Sequence, residues 1–287
     1  MPFSTLIQIL MNGLVLGMIY IFVAVGLSVI FSMLRLITFT HGEMFMLGGF
    51  ATWLFVNGLG FPYYVGLILA VIVMFFIGAL LQWTLWQPLL KDPMRCLIMS
   101  LALSSVLIGL ANIVFGPMDK SVKSPITGVM QLGDIYLSNE RIAVVVSCLI
   151  MLIIVLIFFK KHKVGMAMRA VSLDTIAASL QGINVKKLQM IGFGLGCSLA
   201  AFAGGLIGTV FTIHPTMGAT PILKAFVVVV LGGLGSIPGS IAAGLIIGML
   251  DSIATTYFGS IGNVAAYVVF IAVLLFRPRG LMGYEEV

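Results

Sequence analysis

Five polar or ionisable side chains are set into stretches that are otherwise almost wholly apolar: His41 and Glu43 in Thr-His-Gly-Glu, then Asn112, Lys224 and Asp251. A charged side chain at the centre of a membrane helix costs about 2.5–3.5 kcal/mol on insertion scales, so each is a candidate for a gate, a solute path or a paired structural role. His41 and Glu43 open an apolar run. There Glu43 reads equally as an acid steadying a helix N-terminus or as part of a gate. Asn112, near the end of its run, suits hydrogen bonding between helices. Lys224 stands before a short apolar segment expected to face the outer side, where it either meets a substrate carboxylate or snorkels to the surface. Asp251 reads equally as a paired structural acid or as a path-lining one. No enzyme emerges from these residues. His41, His162 and His214 are too scattered for a metal motif, and Ser236 in Gly-Leu-Gly-Ser-Ile-Pro-Gly has no His or acid at a spacing that suits a nucleophile system. The pattern GxxxxGK[ST], which would cradle nucleotide phosphates, does not occur. Cys96, Cys148 and Cys197 are odd in number and embedded in apolar runs, so they read as small core residues.

The elements that must carry these residues are membrane helices. The chain is 61% hydrophobic and 8% charged, against roughly 25% charged for a soluble domain. Apolar spans fall at about 6–34, 41–58, 62–87, 96–115, 142–159, 190–213, 222–233, 238–257 and 262–276. Most of them approach the roughly 20 residues a spanning helix needs. They are apolar all round, without the alternation of a membrane β-barrel. The fold class is therefore all-α: a single polytopic bundle over 1–287 with about 8–10 membrane segments. The seventh span is too short to cross unaided, and the glycines and Pro238 after it should break the helix. That irregular stretch, 232–239, is expected inside the bundle or at its cytoplasmic edge. A removable signal peptide is not expected, because the N-terminal run lacks a basic lead and is too long. The glycine pairs 13/17, 192/196, 204/208 and 244/248 predict close helix packing, within the bundle or in a dimer.

Basic residues set the orientation. If the segment after the fifth span is cytoplasmic, alternation places Arg35, Lys91, Arg95, six basic residues in 160–189, Arg277 and Arg279 on that side, eleven of the fifteen. Lys120, Lys123, Arg141 and Lys224 fall opposite or at the edge. This satisfies the positive-inside rule and accounts for the net charge of +6 without nucleic acid. It gives an outer N-terminus, an inner C-terminus and an outer loop at 116–141; an even span count is the alternative.

Residues 160–189 hold seven charges between two apolar spans. Met166, Ala170, Leu173, Ala177 and Leu180 recur at helical spacing and predict one helix over 164–181, preceded by Gly165. Gly182 is placed as its left-handed cap, and Asn184 as the N-cap of the helix that follows. Such a helix either lies on lipid headgroups or docks in a protein groove. Its stripe of Ala, Met and Leu, with no Trp or Phe anchor, favours docking.

Residues 165–185 resemble the cytoplasmic coupling loop of permeases in the branched-chain amino acid family of ABC importers. The blocks at 11–50, 223–248 and 276–283 resemble, in order, that family's N-terminal, distal and C-terminal blocks. The likeness spans nearly the whole chain and suits the smaller permease of the usual pair. The family commonly reads Asn-Phe-Ala before His-Gly-Glu; this chain has Thr38, Phe39 and Thr40, so no polar role is carried over to residue 38. The resemblance implies a subunit of an ATP-driven importer in a bacterial inner membrane, taking up branched-chain or related amino acids by alternating access. An amide, urea or an aromatic acid is the alternative solute. It implies no cofactor in this chain, with ATP and Mg held by two separate ATPase subunits. It further implies a second, related permease and an outer solute-binding protein. In that setting Arg169 and Asp174 would contact the rim of the ATPase groove, while Ala177 and Gly182 would permit close approach. An ion-coupled transporter or channel is the rival reading, which needs mid-membrane ion ligands that few acids here can supply.

Overall fold

The computed structural model describes residues 3–36, 38–132, 135–276 and 282. Apolar sequence organises it from the first residue described. Helix α1 (Phe3–Leu34) has no acidic first turn and no basic last turn, and it lies along the centre of the bundle. Around it stand α2 (His41–Trp53, prolonged by a π-helical turn at Leu54–Gly58), α3 (Tyr63–Leu81, prolonged through a second π turn at Gln82–Trp86 into the short α4, Gln87–Leu89) and α5 (Pro93–Phe115). The far half of the chain contributes α6 (Asn139–Lys161), the paired short helices α7 (Lys163–Leu173) and α8 (Thr175–Leu180), then α9 (Val185–Val210), α10 (Ala219–Gly232), α11 (Ile237–Phe258) and α12 (Ala265–Phe276). Each of the nine apolar spans read from the sequence falls on one of the longer helices. Among the described residues six helical stretches are long and apolar enough to cross a membrane, and α10 is a shorter apolar helix.

Burial ranks the helices. In their most apolar windows α1 is 83% buried and α9 78%, against 11% for α5, so α1 and α9 form the core and α5 presents its side chains outward. The glycine pairs are spent inside the chain. Gly13 and Gly17 of α1 lie against Met249 and the backbone at Gly244 of α11, and Gly248 leaves no room for a Cβ beside Gly17. Gly196 of α9 packs on the carbonyl of Gly26. Small residues let these backbones meet where lipid offers no hydrophobic drive between helices.

The two ends of the bundle are fixed by contacts. At one end Gly192 of α9 meets Met33 and Met168, Gln189 Nε2 donates to the Met33 carbonyl at 3.3 Å, and Trp86 lies against Phe193. The ends of α1, α6 and α9 and the π turn before α4 thus lie at the end of the bundle that carries 160–189. At the other end Lys120 and Ile213 exchange backbone hydrogen bonds of 2.9 and 2.7 Å, and Val122 donates to the Gly208 carbonyl. The loop read as plain outer connection also contains a hairpin, β1 (Val129–Leu132) antiparallel to β2 (Ile135–Ser138), in register from Val129↔Ser138 to Leu132↔Ile135. Its Val, Ile and Tyr content suits strands. Arg277 and Arg279, which entered the orientation argument, lie outside the described residues.

The break after the short seventh span is where the sequence put it. Gly233 and Gly235 have φ of 100° and 82°, conformations only glycine adopts freely. Ser236 then caps α11, its hydroxyl accepting from Gly239 N at 3.2 Å. Pro238 does not break a helix; it occupies the first turn of α11, where a missing N–H costs nothing.

Candidate functional site

Three constellations carry the residues singled out by the sequence. The first is the charged segment, which folds as two helices rather than one. Asp174 interrupts it with extended dihedrals (φ −148°, ψ 107°), ends α7 and caps α8. Its Oδ1 accepts from Ile176 N at 2.8 Å and Ala177 N at 3.0 Å. A short acceptor side chain competes well for free N–H groups at a helix start, and periodicity alone does not register that break. Gly182 takes φ of 80°; Ile183 N bonds the Ala178 carbonyl and Gly182 N the Ser179 carbonyl, the paired bonds of a Schellman cap. Asn184 Oδ1 then accepts from Lys187 N at 3.1 Å to start α9. Gly165, expected before the helix, lies within α7, pressed on the backbone of Phe158.

The buried side of this element is Gly165, Met168, Val171 and Ala178. The apolar stripe read from the sequence faces away from the bundle: Leu173 is 73% exposed, Leu180 81%, and Ile176 beside them 73%. Ala177 is exposed too. Arg169 points back along the fold, its Nη2 3.5 Å from the Lys160 carbonyl at the end of α6. The result is a capped double helix fixed to α6 and α9, carrying a bare apolar ledge.

The second constellation surrounds the start of α2. His41 Nε2 donates to the Val23 carbonyl at 3.0 Å, and Val23 lies well inside α1, roughly 16 Å from its end at 1.5 Å per residue. So α2 begins near the middle of the bundle rather than at its edge. Gly42 meets the Gly218 carbonyl, which brings the N-termini of α2 and α10 together at that depth. Thr40 Oγ1 donates to the Ser100 carbonyl at 2.9 Å, and Ser104 Oγ donates to Glu43 Oε1 at 2.9 Å. Among the described residues Thr38 Oγ1, His41 Nδ1 and Glu43 Oε2 are buried without partners. Asn112, placed for contacts between helices, donates to the Ile108 carbonyl of its own helix at 2.9 Å.

The third constellation joins two residues that the sequence kept apart. Lys224 lies within α10 rather than before it, 1% exposed, with Nζ 2.7 Å from Asp251 Oδ1. It neither snorkels nor faces the outer side. Tyr20 donates to Asp251 Oδ2 at 2.9 Å, and the Tyr267 ring lies 4.9 Å below the ammonium. One buried carboxylate thereby ties α1, α10, α11 and α12. Beside it, toward the hairpin end, lies a cavity of about 330 Å³. Sequence reasoning missed Tyr20, Asn12 and Ser104, and counted Arg141 only for orientation. Each is a single polar residue in or beside an apolar run, with partners remote in the chain.

Comparison with known proteins fits this architecture. Residues 9–277 match the family model described as branched-chain amino acid transport system / permease component. The chain is 29% identical over 302 residues to LivH of Salmonella typhimurium, a high-affinity branched-chain amino acid transport system permease protein, covering 99% of this chain and 98% of that one. It is 29% identical over 297 residues to BraD of Pseudomonas aeruginosa, which carries the same description, covering 98% and 97%. Among solved structures, PsaBC from Streptococcus pneumoniae in complex with Fab aligns with a TM-score of 0.51 at 15% identity, over 93% of this chain and 91% of that one. That is a likeness of fold.

Proposed function

Because the chain belongs to the family of branched-chain amino acid transport system permease components, we propose that it is a transmembrane permease subunit of an ABC importer for branched-chain or related amino acids. Two ATPase subunits on the cytoplasmic face bind ATP and its magnesium. A second, related permease completes the membrane channel, and an outer solute-binding protein delivers the solute. The bilayer is the bacterial inner membrane.

The observation that carries this reading is the ledge of Leu173, Ile176 and Leu180. It is apolar, exposed and held on capped helices. Exposed apolar side chains grouped on a rigid polar-ended element mark a binding surface. The ledge lies at the end of the bundle that gathers the basic residues, the cytoplasmic end by the positive-inside rule. Met168 and Val171 transmit displacement of the ledge to α9, whose glycines seat α1, α2 and α3. Nucleotide then drives alternating access by binding the closed ATPase pair more tightly than the open one.

Co-purification tests the proposal. Pulled from membranes with its co-expressed partners, the wild-type chain is expected to bring an ATPase with it, and Ala177→Glu or Ile176→Glu to lose it. Both positions are exposed, so permease yield and melting temperature should stay unchanged. No ATPase with the wild type would overturn the reading.

A further inference from the structure

The cavity beside Asp251 is lined by a guanidinium, by hydroxyl groups and by apolar side chains. Arg141, at the start of α6, donates to Asn12 Oδ1 of α1. Among the described residues it forms no ion pair. A guanidinium offers donors only and matches a carboxylate in two parallel bonds. The hydroxyl-bearing residues Tyr20, Thr255 and Thr256 also line the cavity. Their protons are already committed: Tyr20 to Asp251, Thr255 to the Asp251 carbonyl at 2.6 Å, Thr256 to the Ser252 carbonyl at 2.8 Å. What these oxygens still offer is acceptor capacity, which an ammonium uses and a carboxylate does not. The apolar lining is Val15, Leu16, Val210 and Phe211. The volume of about 330 Å³ falls at the small end of the 300–1,000 Å³ typical of ligand sites.

We infer that this cavity binds the zwitterion of a small aliphatic amino acid, the carboxylate on Arg141, the ammonium on the Tyr20, Thr255 and Thr256 oxygens, and the branched side chain on the Val15–Phe211 wall. The inference rests on the permease reading above and gives it a solute site in the half of the bundle away from the coupling ledge. Solute handed over at the outer face enters here before the path opens inward. Asp251 is neutralised by Lys224 and does not take the ammonium itself.

The test uses the assembled transporter in proteoliposomes, with leucine as the probe. The three native cysteines are buried, so Thr256→Cys, with Phe211→Cys as a second reporter, gives a single reactive thiol in the cavity. Leucine is expected to slow its alkylation by iodoacetamide; 3-methylbutylamine, which lacks the carboxylate, is not. Arg141→Gln should weaken leucine protection and raise the concentration for half-maximal uptake by roughly 10- to 100-fold, the loss of a hydrogen-bonded charge partner. Arg141→Lys should recover part of it. If a cysteine variant itself still takes up leucine while its thiol reacts at the same rate with and without leucine, the site is overturned alone. If the wild type takes up no branched-chain amino acid, the permease reading falls and this site with it. Protection by the amine equal to that by leucine overturns the carboxylate assignment.

Discussion

Removing one partner of the Lys224–Asp251 pair should be far more damaging than removing both. The Nζ–Oδ1 distance is 2.7 Å with side chains only 1% and 2% exposed, so each charge depends mainly on the other for compensation. Breaking a buried pair of this kind costs about 3–5 kcal/mol, whereas replacing both members by apolar residues of similar volume is often neutral or stabilising. Lys224→Met leaves the carboxylate with the Tyr20 hydroxyl among its described partners; Asp251→Leu takes from the Lys224 ammonium its carboxylate partner. At about 2–4 °C per kcal/mol for a chain near this size, each single variant should melt roughly 6–20 °C below wild type. The double variant Lys224→Met/Asp251→Leu should recover most of that loss. Tyr20 faces the cavity, which has room for a water to meet its freed hydroxyl. The assay is thermal unfolding of the purified permease in detergent, read by a thiol-reactive dye that reports exposure of Cys96, Cys148 and Cys197, all buried in the native state. A double variant no more stable than the worse single variant, or single variants within 1 °C of wild type, would refute the view of this pair as a structural tie.

Asp174→Ala removes two N-cap hydrogen bonds and should cost about 1 kcal/mol of local stability, visible as faster hydrogen exchange confined to α8 and as weaker ATPase retention. Gly248→Leu sets a side chain against the backbone of Gly17 and should separate α1 from α11, with a loss of at least 1–3 kcal/mol from overpacking in the same melting assay; Gly109→Leu, which meets open space, should be silent. Ser104→Ala deprives the Glu43 carboxylate of the partner on Oε1 and should cost about 1–3 kcal/mol, with Ser104→Thr restoring it.

Much of the fold was legible because its signals are local. Gly182, Asn184 and the glycines after α10 announce chain reversals whose geometry depends only on residues a few positions away, and the nine apolar runs locate the helices. The single helix expected over 164–181 failed for an equally local reason that hydrophobic periodicity overlooks. The Asp174 side chain satisfies Ile176 and Ala177 N–H groups better from an extended backbone than a continuous helix would. The apolar stripe falls on two helices rather than one and lies mainly on their exposed side; a run of apolar side chains does not by itself say which neighbour it meets.

What only the tertiary structure decided is who meets whom. Hydropathy scarcely separates α1 from α5, at 2.7 and 2.2, yet one window is 83% buried and the other 11%. Lipid tails are as apolar as a protein core, so the composition that puts a helix into the membrane says nothing about whether it lies in the middle of the bundle. The polar residues share that silence. Tyr20 and Asp251 are 231 positions apart, Arg141 and Asn12 129, and the glycine that lets α2 and α10 begin side by side finds its partner 176 residues later. By itself the sequence determined a membrane bundle, most of its helix ends and the charged helical segment between α6 and α9. Packing decided which lone charges became a structural tie and which line the cavity beside it.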